Sequence, residues 1–293
     1  MNRNHLALFH AVAEAGSVSG GAERLHISQP AVSKQLGELE EMLGVRLFDR
    51  LPRGVRLTEG GKLLANYSRK ITILENDAEH AIAELRGLKR GRLAIGASTS
   101  VGGYLLPHAL IRFHQTHPGI EISVETGNTT VIQAALLEGR IELGFTEGDR
   151  GSDELETSVF QRDELVAIAP VGHRLLAREG GVTARELSRE PIIMREVGSG
   201  TREVVEAAFA RKKITIKPAL SLGSTEGIKR VVIGGMGLAI VSRLTVTAEL
   251  QNRLLDIIPL SDLKIVRPLH QQYLRTRTLG PTAAAFLRMD KTV

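Results

Sequence analysis

The sequence predicts a multidomain fold: a small, mostly helical head with a β-hairpin wing, one long linker helix, and a C-terminal α/β domain. Three observations point to it. Three short amphipathic segments fill the first 44 residues; an arginine-bearing hairpin and an unbroken helical stretch follow; from Arg92 onward, β-branched runs alternate with helical stretches.

The chain has 293 residues, 42% hydrophobic and 24% charged, more than one small module needs. No apolar run reaches the ~18 residues of a membrane span. The segment Met1-Asn2-Arg3-Asn4-His5-Leu6 lacks the charged head and apolar core of an export signal. There is no cysteine, which excludes disulfides, thiolate zinc sites and cysteine nucleophiles. Together these point to a bacterial-type cytoplasm. The 38 Lys and Arg against 33 Asp and Glu give +5, compatible with a nucleic-acid partner but too small an excess to identify one. Residues 1 to 90 carry 13 basic against 11 acidic side chains, so the placement of the arginines says more than their sum.

Residues 5 to 14 put Leu6, Phe9, Val12 and Ala13 on one helical face, and residues 18 to 25 do the same with Val18, Ala22 and Leu25. Ser28 is a good N-cap for a third helix, with Gln29 and Pro30 in its first turn. That helix turns Val32, Leu36, Leu39 and Leu43 inward and stops at Gly44. The arrangement is a helix-turn-helix, whose later helix enters the major groove by its N-terminal residues. Its outward face offers Gln29, Pro30, Ser33 and Lys34. Gln suits an adenine edge, Ser and Lys suit bases or phosphates, and Pro suits a thymine methyl. Residues 45 to 58 then read as two short strands around Pro52-Arg53-Gly54, a wing. Arg50, Arg53 and Arg56 recur on it every third residue, a spacing for a phosphate backbone or the minor groove; arginines on an isolated hairpin would be ordinary solvated surface.

Thr58 caps a long helix to about Leu88. Leu64, Tyr67, Ile71, Leu74, Ala78, Ala81, Leu85 and Leu88 follow steps of three and four, a coiled-coil seam of about three heptads through which two copies pair. At 1.5 Å per residue this helix spans roughly 40 Å, enough to separate two DNA-reading heads. The alternative is a helix packed on its own C-terminal domain, which calls for a wider apolar stripe.

Residues 21 to 36, then Leu39-Glu40, Leu43-Gly44, Leu47-Phe48 and residues 57 to 61, resemble the signature of LysR-type transcriptional regulators. The resemblance implies that Gln29, Pro30, Ser33 and Lys34 read bases, that Arg53 is the wing contact, and that double-stranded promoter DNA is the partner. It further implies a homodimer through the linker helix, dimers assembled into a homotetramer, and RNA polymerase as a candidate partner. Gly60-Gly61 is expected to make the start of the linker helix pliable.

In the C-terminal part, strands are expected at 92 to 97, 120 to 125, 141 to 145, 165 to 169, 192 to 195, 219 to 222, 238 to 241 and 271 to 275. Helices are expected at 104 to 114, 129 to 137, 202 to 210, 225 to 233, 244 to 251 and 281 to 288. The resemblance, which extends over the whole chain, implies that the last strand and helix return to the first half. Two lobes then share crossovers near Arg162 and Arg267, as in periplasmic solute-binding proteins. The expected division is 1 to 58 for the winged helix-turn-helix, 59 to 89 for the linker, and 90 to 293 for the effector domain. Within the last, lobe I takes about 90 to 162 plus 268 to 293, and lobe II about 163 to 267.

Two strand-to-helix connections are rich in donors: Ser98, Thr99 and Ser100 in the first lobe, and Arg195, Ser199, Gly200, Thr201 and Arg202 in the second. Facing each other across a cleft they would hold a small anion; singly, each reads more readily as ordinary helix capping. Asn128, Thr129 and Thr146 should open on the same cleft, and Arg202 can instead pair with Glu206 at i+4. Residues 195 to 202 and the run around Thr225 resemble the LysR branch governing carbon fixation or sulfur assimilation. That implies a small-molecule effector, an oxyanion or a small phosphorylated or carboxylated metabolite, and no other cofactor.

No enzyme constellation is legible. His108, His114 and His117 lack a carboxylate at metal-ligand spacing. Gly198-Ser199-Gly200 falls short of a nucleophile elbow, and Gly234-Gly235-Met236-Gly237 precedes a strand, unlike a dinucleotide loop. A two-lobed solute receptor without a transcription role is the other reading of the C-terminal domain, and the helix-turn-helix tells against it.

Overall fold

The computed structural model describes residues 1–84, 91–148 and 151–289. It divides into two compact units, Met1–Glu79 and His80–Val293. Leu85, Leu88, the side chain of Ala81 and the boundary expected at 89 to 90 lie outside the described residues.

The first unit begins with α1 (Arg3–Ala15), α2 (Val18–Leu25) and α3 (Gln29–Leu43). Asn2, Ser17 and Ser28 cap them by accepting from the backbone N–H of His5, Gly20 and Ala31, so each start has the side-chain oxygen it needs. Strands β1 (Phe48–Arg50) and β2 (Val55–Leu57) pair antiparallel as the wing, and α4 (Glu59–Glu84) follows. Leu8, Phe9, Val12, Val32, Leu36, Leu39, Leu47, Phe48 and Leu64 form one core, with the Phe9 and Phe48 rings 5.2 Å apart. Leu43, expected inward, is instead exposed, because it occupies the last turn, beyond the reach of α1 and α2. Gly61 has a packing reason: a Cβ there would stand 2.1 Å from the Leu47 carbonyl oxygen, so glycine lets α4 pack directly on the backbone that enters the wing. Thr58 joins the two, its Oγ1 donating to the Arg46 carbonyl at 2.6 Å and accepting from the Gly61 N–H at 3.0 Å.

The second unit starts with β3 (Gly91–Ser98), α5 (Thr99–Tyr104), α6 (Leu106–Thr116), β4 (Ile120–Gly127), α7 (Thr129–Leu137) and β5 (Leu143–Glu147). The 16-residue β6 (Leu155–Pro170) leads out to α8 (Ala184–Leu187), β7 (Ile192–Arg195), α9 (Gly200–Arg211), β8 (Pro218–Leu222), α10 (Thr225–Ile233), β9 (Leu238–Ser242), α11 (Thr247–Gln251) and β10 (Leu255–Ile258). Strand β11 (Ile265–Leu274) runs back, and α12 (Pro281–Met289) closes the first lobe.

Lobe I has β3 between β4 and β5, all parallel; lobe II has β7 between β8 and β9, also parallel. Parallel strands buried by helices on their faces need the near-continuous apolar runs seen in β3, β7 and β9. The lobes join in one nine-stranded sheet, β4-β3-β5-β11-β6-β9-β7-β8 with β10 on β6. The shared ribbon is β6 against β11, antiparallel from Leu165↔Ile265 to Leu155↔Leu274, with a register irregularity at Leu269/His270. Arg162↔Pro268 and Asp163↔Arg267 sit where the chain passes between lobes. Sequence patterning finds only 165 to 169 and 271 to 275 in this ribbon. The remainder mixes Glu156, Thr157, Ser158, Gln161 and Arg162 with apolar residues, and its strand state comes from the ladder with the partner strand. The donor segment after Ser98, expected as a loop, is already helical as α5.

Candidate functional sites

Among the described residues of the first unit, the expected DNA contacts are all exposed. Ser28, Gln29, Pro30, Ser33 and Lys34 are all exposed at the start of α3, and Arg50, Arg53 and Arg56 are exposed on the wing. Ser33 and Arg50 line one recess of about 100 Å³ between helix and wing. Glu40 fixes that geometry: its Oε1 accepts from the backbone N–H of Leu47 at 2.7 Å and of Phe48 at 3.2 Å. Lys34 is 3.9 Å from Glu38, and Arg56 is 3.4 Å from Asp49. Exposed ion pairs of this kind hold little energy, so both cations are available to phosphate. On α4, Tyr67, Ile71, Leu74 and Ala78 are exposed, as are Leu63 and Ile82, whereas Leu64 belongs to the head's core.

In the second unit the two donor segments meet. From lobe I, Ser98 ends β3 and Thr99 opens α5; from lobe II, Arg195 ends β7 and Thr201 lies in the first turn of α9. Arg195 reaches both Thr225 and Thr99, its Nη1 and Nη2 each 3.3 Å from the hydroxyl oxygen. Thr130 donates to the Gly198 carbonyl from its N–H and its hydroxyl, both at 3.3 Å. Gly200 packs so closely on lobe I that a Cβ would stand 2.0 Å from the Glu147 carbonyl oxygen. Ser98, Thr129, Arg195, Ser199, Thr201 and Thr225 are all buried. The capping alternative holds for Asn128, whose Oδ1 accepts from the Val131 N–H at 3.0 Å. It does not hold for Ser98 or Ser199, neither of which makes a side-chain cap bond. Ser100 is buried within α5. Arg202 takes the local option: its Nε donates to Glu206 at 2.8 Å and its Nη1 to the Arg195 carbonyl at 3.3 Å.

The centre of the cluster is a residue the sequence reading passed over. Glu147, only 1% exposed at the end of β5, accepts from the Ser98 hydroxyl on one oxygen and from Thr201 at 3.3 Å on the other. Arg267 Nη1 is 3.5 Å from it and also donates to Thr201 at 2.8 Å. Arg267, wholly buried, donates to Asp163 from Nε at 2.8 Å and holds its Nη2 2.7 Å from the same carboxylate oxygen as an ion pair, and Ser242 donates to Asp163 at 2.8 Å. Burial pushes the Glu147 carboxyl above the usual carboxylate range, while Arg267 and Arg195 pull it back. Glu196 is also pushed up by burial, but the Arg195 hydrogen bonds win and leave it below its ordinary value. Thr146, one residue before Glu147, points elsewhere and donates to Gln272 at 2.9 Å. Glu147 was passed over because an acid ending an apolar strand looks like a surface residue; the signal was that it ends the third strand of lobe I as Ser98 ends the first.

A second bridge between lobes lies beside the first. Tyr104 of lobe I donates to Glu226, and Lys229 Nζ contacts the Tyr104 hydroxyl at 2.9 Å, the Thr245 carbonyl at 2.8 Å, and Glu226 and Glu249 at 2.7 Å. Burial opposes the Lys229 charge, but these partners hold its pKa above the ordinary lysine value.

The chain matches known proteins along most of its length. Residues 3–62 match the bacterial regulatory helix-turn-helix protein, lysR family, and residues 86–291 match the LysR substrate binding domain. The RuBisCO operon transcriptional regulator of Allochromatium vinosum is 35% identical over 281 residues, 96% of this chain and 92% of that protein. The CcmR regulatory domain of Synechocystis PCC6803, solved in complex with 2-PG, is 30% identical with a TM-score of 0.64, covering 68% of this chain and 95% of that one. A full-length OxyR variant from Pseudomonas aeruginosa shares the fold at 21% identity, with a TM-score of 0.73 over 99% of this chain and 93% of that one.

Proposed function

The chain belongs to the LysR family of transcriptional regulators, and from that premise we propose that it binds promoter DNA under the control of a small anionic effector held between the lobes of its C-terminal domain. The observation that carries the effector reading is the enclosed meeting of Ser98 and Thr99 with Arg195, Thr201 and Thr225, two matched strand-to-helix junctions on one shared sheet. Hydroxyls, a guanidinium and the start of α9 are the donors that oxyanions, phosphorylated acids and carboxylates use. The 2-PG in the CcmR domain complex supports an effector of that size and charge.

On this reading Gln29, Pro30, Ser33 and Lys34 enter the major groove while Arg50, Arg53 and Arg56 follow the backbone. The exposed apolar row Tyr67, Ile71, Leu74 and Ala78 joins two copies, and dimers associate into a tetramer that contacts RNA polymerase in the cytoplasm. Effector binding changes the lobe angle and with it the spacing of the heads, by preferring one of two conformations. The test is a thermal-shift panel of inorganic phosphate, sulfate, sulfite and 2-PG on the full chain, repeated with Ser98→Ala and Thr99→Ala. Stabilisation by at least one anion, lost in the variants, is expected. If no anion stabilises the protein, or the variants respond as the parent does, the cleft is not the effector site.

A further inference from the structure

The interlobe cluster holds more negative than positive charge. Arg195 is taken by Glu196, with Nε to Oε2 and Nη2 to Oε1 both at 2.8 Å. Arg267 is held by Asp163 at 2.7 to 2.8 Å and shares its Nη1 with Glu147 at the longer distance of 3.5 Å. Glu147 is then the surplus carboxylate: two guanidinium groups face three acids among the described residues, and Arg195, Arg267, Asp163 and Glu147 are each less than about a twentieth exposed. The start of α9 adds only about half a positive charge. Glu203, also in that first turn, is exposed and screened by solvent. On β11, His270 stands opposite Thr146 in the ladder; Arg202 is occupied by Glu206.

The hydroxyls are also spoken for. Ser98 and Thr201 each have a single proton to donate, and both give it to Glu147. An oxyanion entering this cluster therefore meets a carboxylate that repels it and competes for its donors. One proton placed between ligand and Glu147 removes both obstacles at once, turning repulsion into an O–H···O⁻ hydrogen bond, among the stronger kinds.

We propose that the cleft is a proton-coupled anion site in which Glu147 shares one proton with each bound oxyanion. This rests on the cleft being the effector site. It makes Glu147 a specificity-determining residue. Oxyanions that carry their own proton near neutrality, such as hydrogen phosphate, bicarbonate and bisulfite, satisfy it directly. Sulfate satisfies it only by drawing a proton from solvent onto Glu147. The burial that raises the Glu147 pKa is in the direction that makes this uptake accessible.

The experiment is isothermal titration of the full chain and of Glu147→Gln with sulfate and with inorganic phosphate. Each is run at about pH 6 and about pH 8, in two buffers of different ionisation enthalpy. For the parent, sulfate binding takes up about one proton and weakens about tenfold per pH unit above the Glu147 titration, while phosphate near pH 8 binds with almost no uptake. In Glu147→Gln, sulfate binds at least ~10-fold more tightly near pH 8, with no proton uptake. Sulfate binding to the parent without proton uptake and with no pH dependence overturns the proposal while leaving the anion site standing. Binding of neither anion to either protein overturns the cleft reading itself. Should Glu147→Gln not fold, the proton count on the parent still decides.

Discussion

Replacing Arg267 by Met keeps the volume of the side chain and deletes its charge, so it isolates what the guanidinium does at the crossover. Arg267 is fully buried, ion-paired and hydrogen-bonded to Asp163 and hydrogen-bonded once to Thr201. Without it Asp163 keeps only the Ser242 hydroxyl at 2.8 Å among the side-chain bonds described here, and Glu147 loses its nearest cation. Removing one partner of a buried ion pair costs about 3–5 kcal/mol, and each kcal/mol shifts the midpoint of a domain this size by about 2–4 °C. Arg267→Met should therefore lower the melting temperature of the C-terminal unit by roughly 6–20 °C. The chain has no Trp, so calorimetry or far-UV circular dichroism is the assay. Asp163→Asn in the same molecule should be less damaging than the two single changes summed, because the stranded charge goes with its partner. A single variant melting within about 2 °C of the parent, or strict additivity in the double, would refute the assignment of Arg267 as the charge anchor of the hinge.

Three further outcomes follow. Lys34→Ala and Arg53→Ala should each weaken operator binding with unchanged melting, and a phosphate contact at either should lower the slope of log K against log salt by about 1; fluorescence anisotropy across a salt series reads both. Leu74→Lys, on the exposed row of α4, should lower the mass from that of the proposed dimer without unfolding the head, shown by light scattering after size exclusion; an unchanged mass would refute pairing through this row. For pH, the folded-state pKa of Glu147 lies above its unfolded value, so the native state binds the proton more tightly. Relative to Glu147→Gln, the parent should gain stability as pH falls through the folded pKa towards about 4.3, the unfolded value, and lose it as pH rises. Parallel stability curves for the two proteins would contradict the burial of that charge.

The head was legible because its signals are local. Caps, the Gly44 stop and the apolar faces of α1 to α3 each sit within a turn or two of the residues they organise. The wing arginines also read out, being spaced along a hairpin that a Pro-Arg-Gly turn announces. The junction residues Ser98, Thr99, Arg195, Thr201 and Thr225, which the fold brings together, stand out by composition, since donors at strand-to-helix turns are conspicuous. Glu147, Asp163 and Arg267 were not, because each is a charged residue within or ending a strand and acquires its role only when β5, β6 and β11 become neighbours. Gly61 shows the same limit: the Gly60-Gly61 pair suggests only pliability, and the closeness of Leu47 that gives Gly61 a packing reason exists only in three dimensions.

The ribbon of β6 and β11 does more than connect. Two loose linkers would let the lobes swing in any direction, but two strands laddered together along ten register pairs resist shear and stretching while yielding to twist. The lobes are thus mounted on a torsion bar, and the irregularity at Leu269/His270 adds a local bend and twist to its angle. An effector need only bias that angle, and residues along the bar can retune how much effector is required without ever touching it.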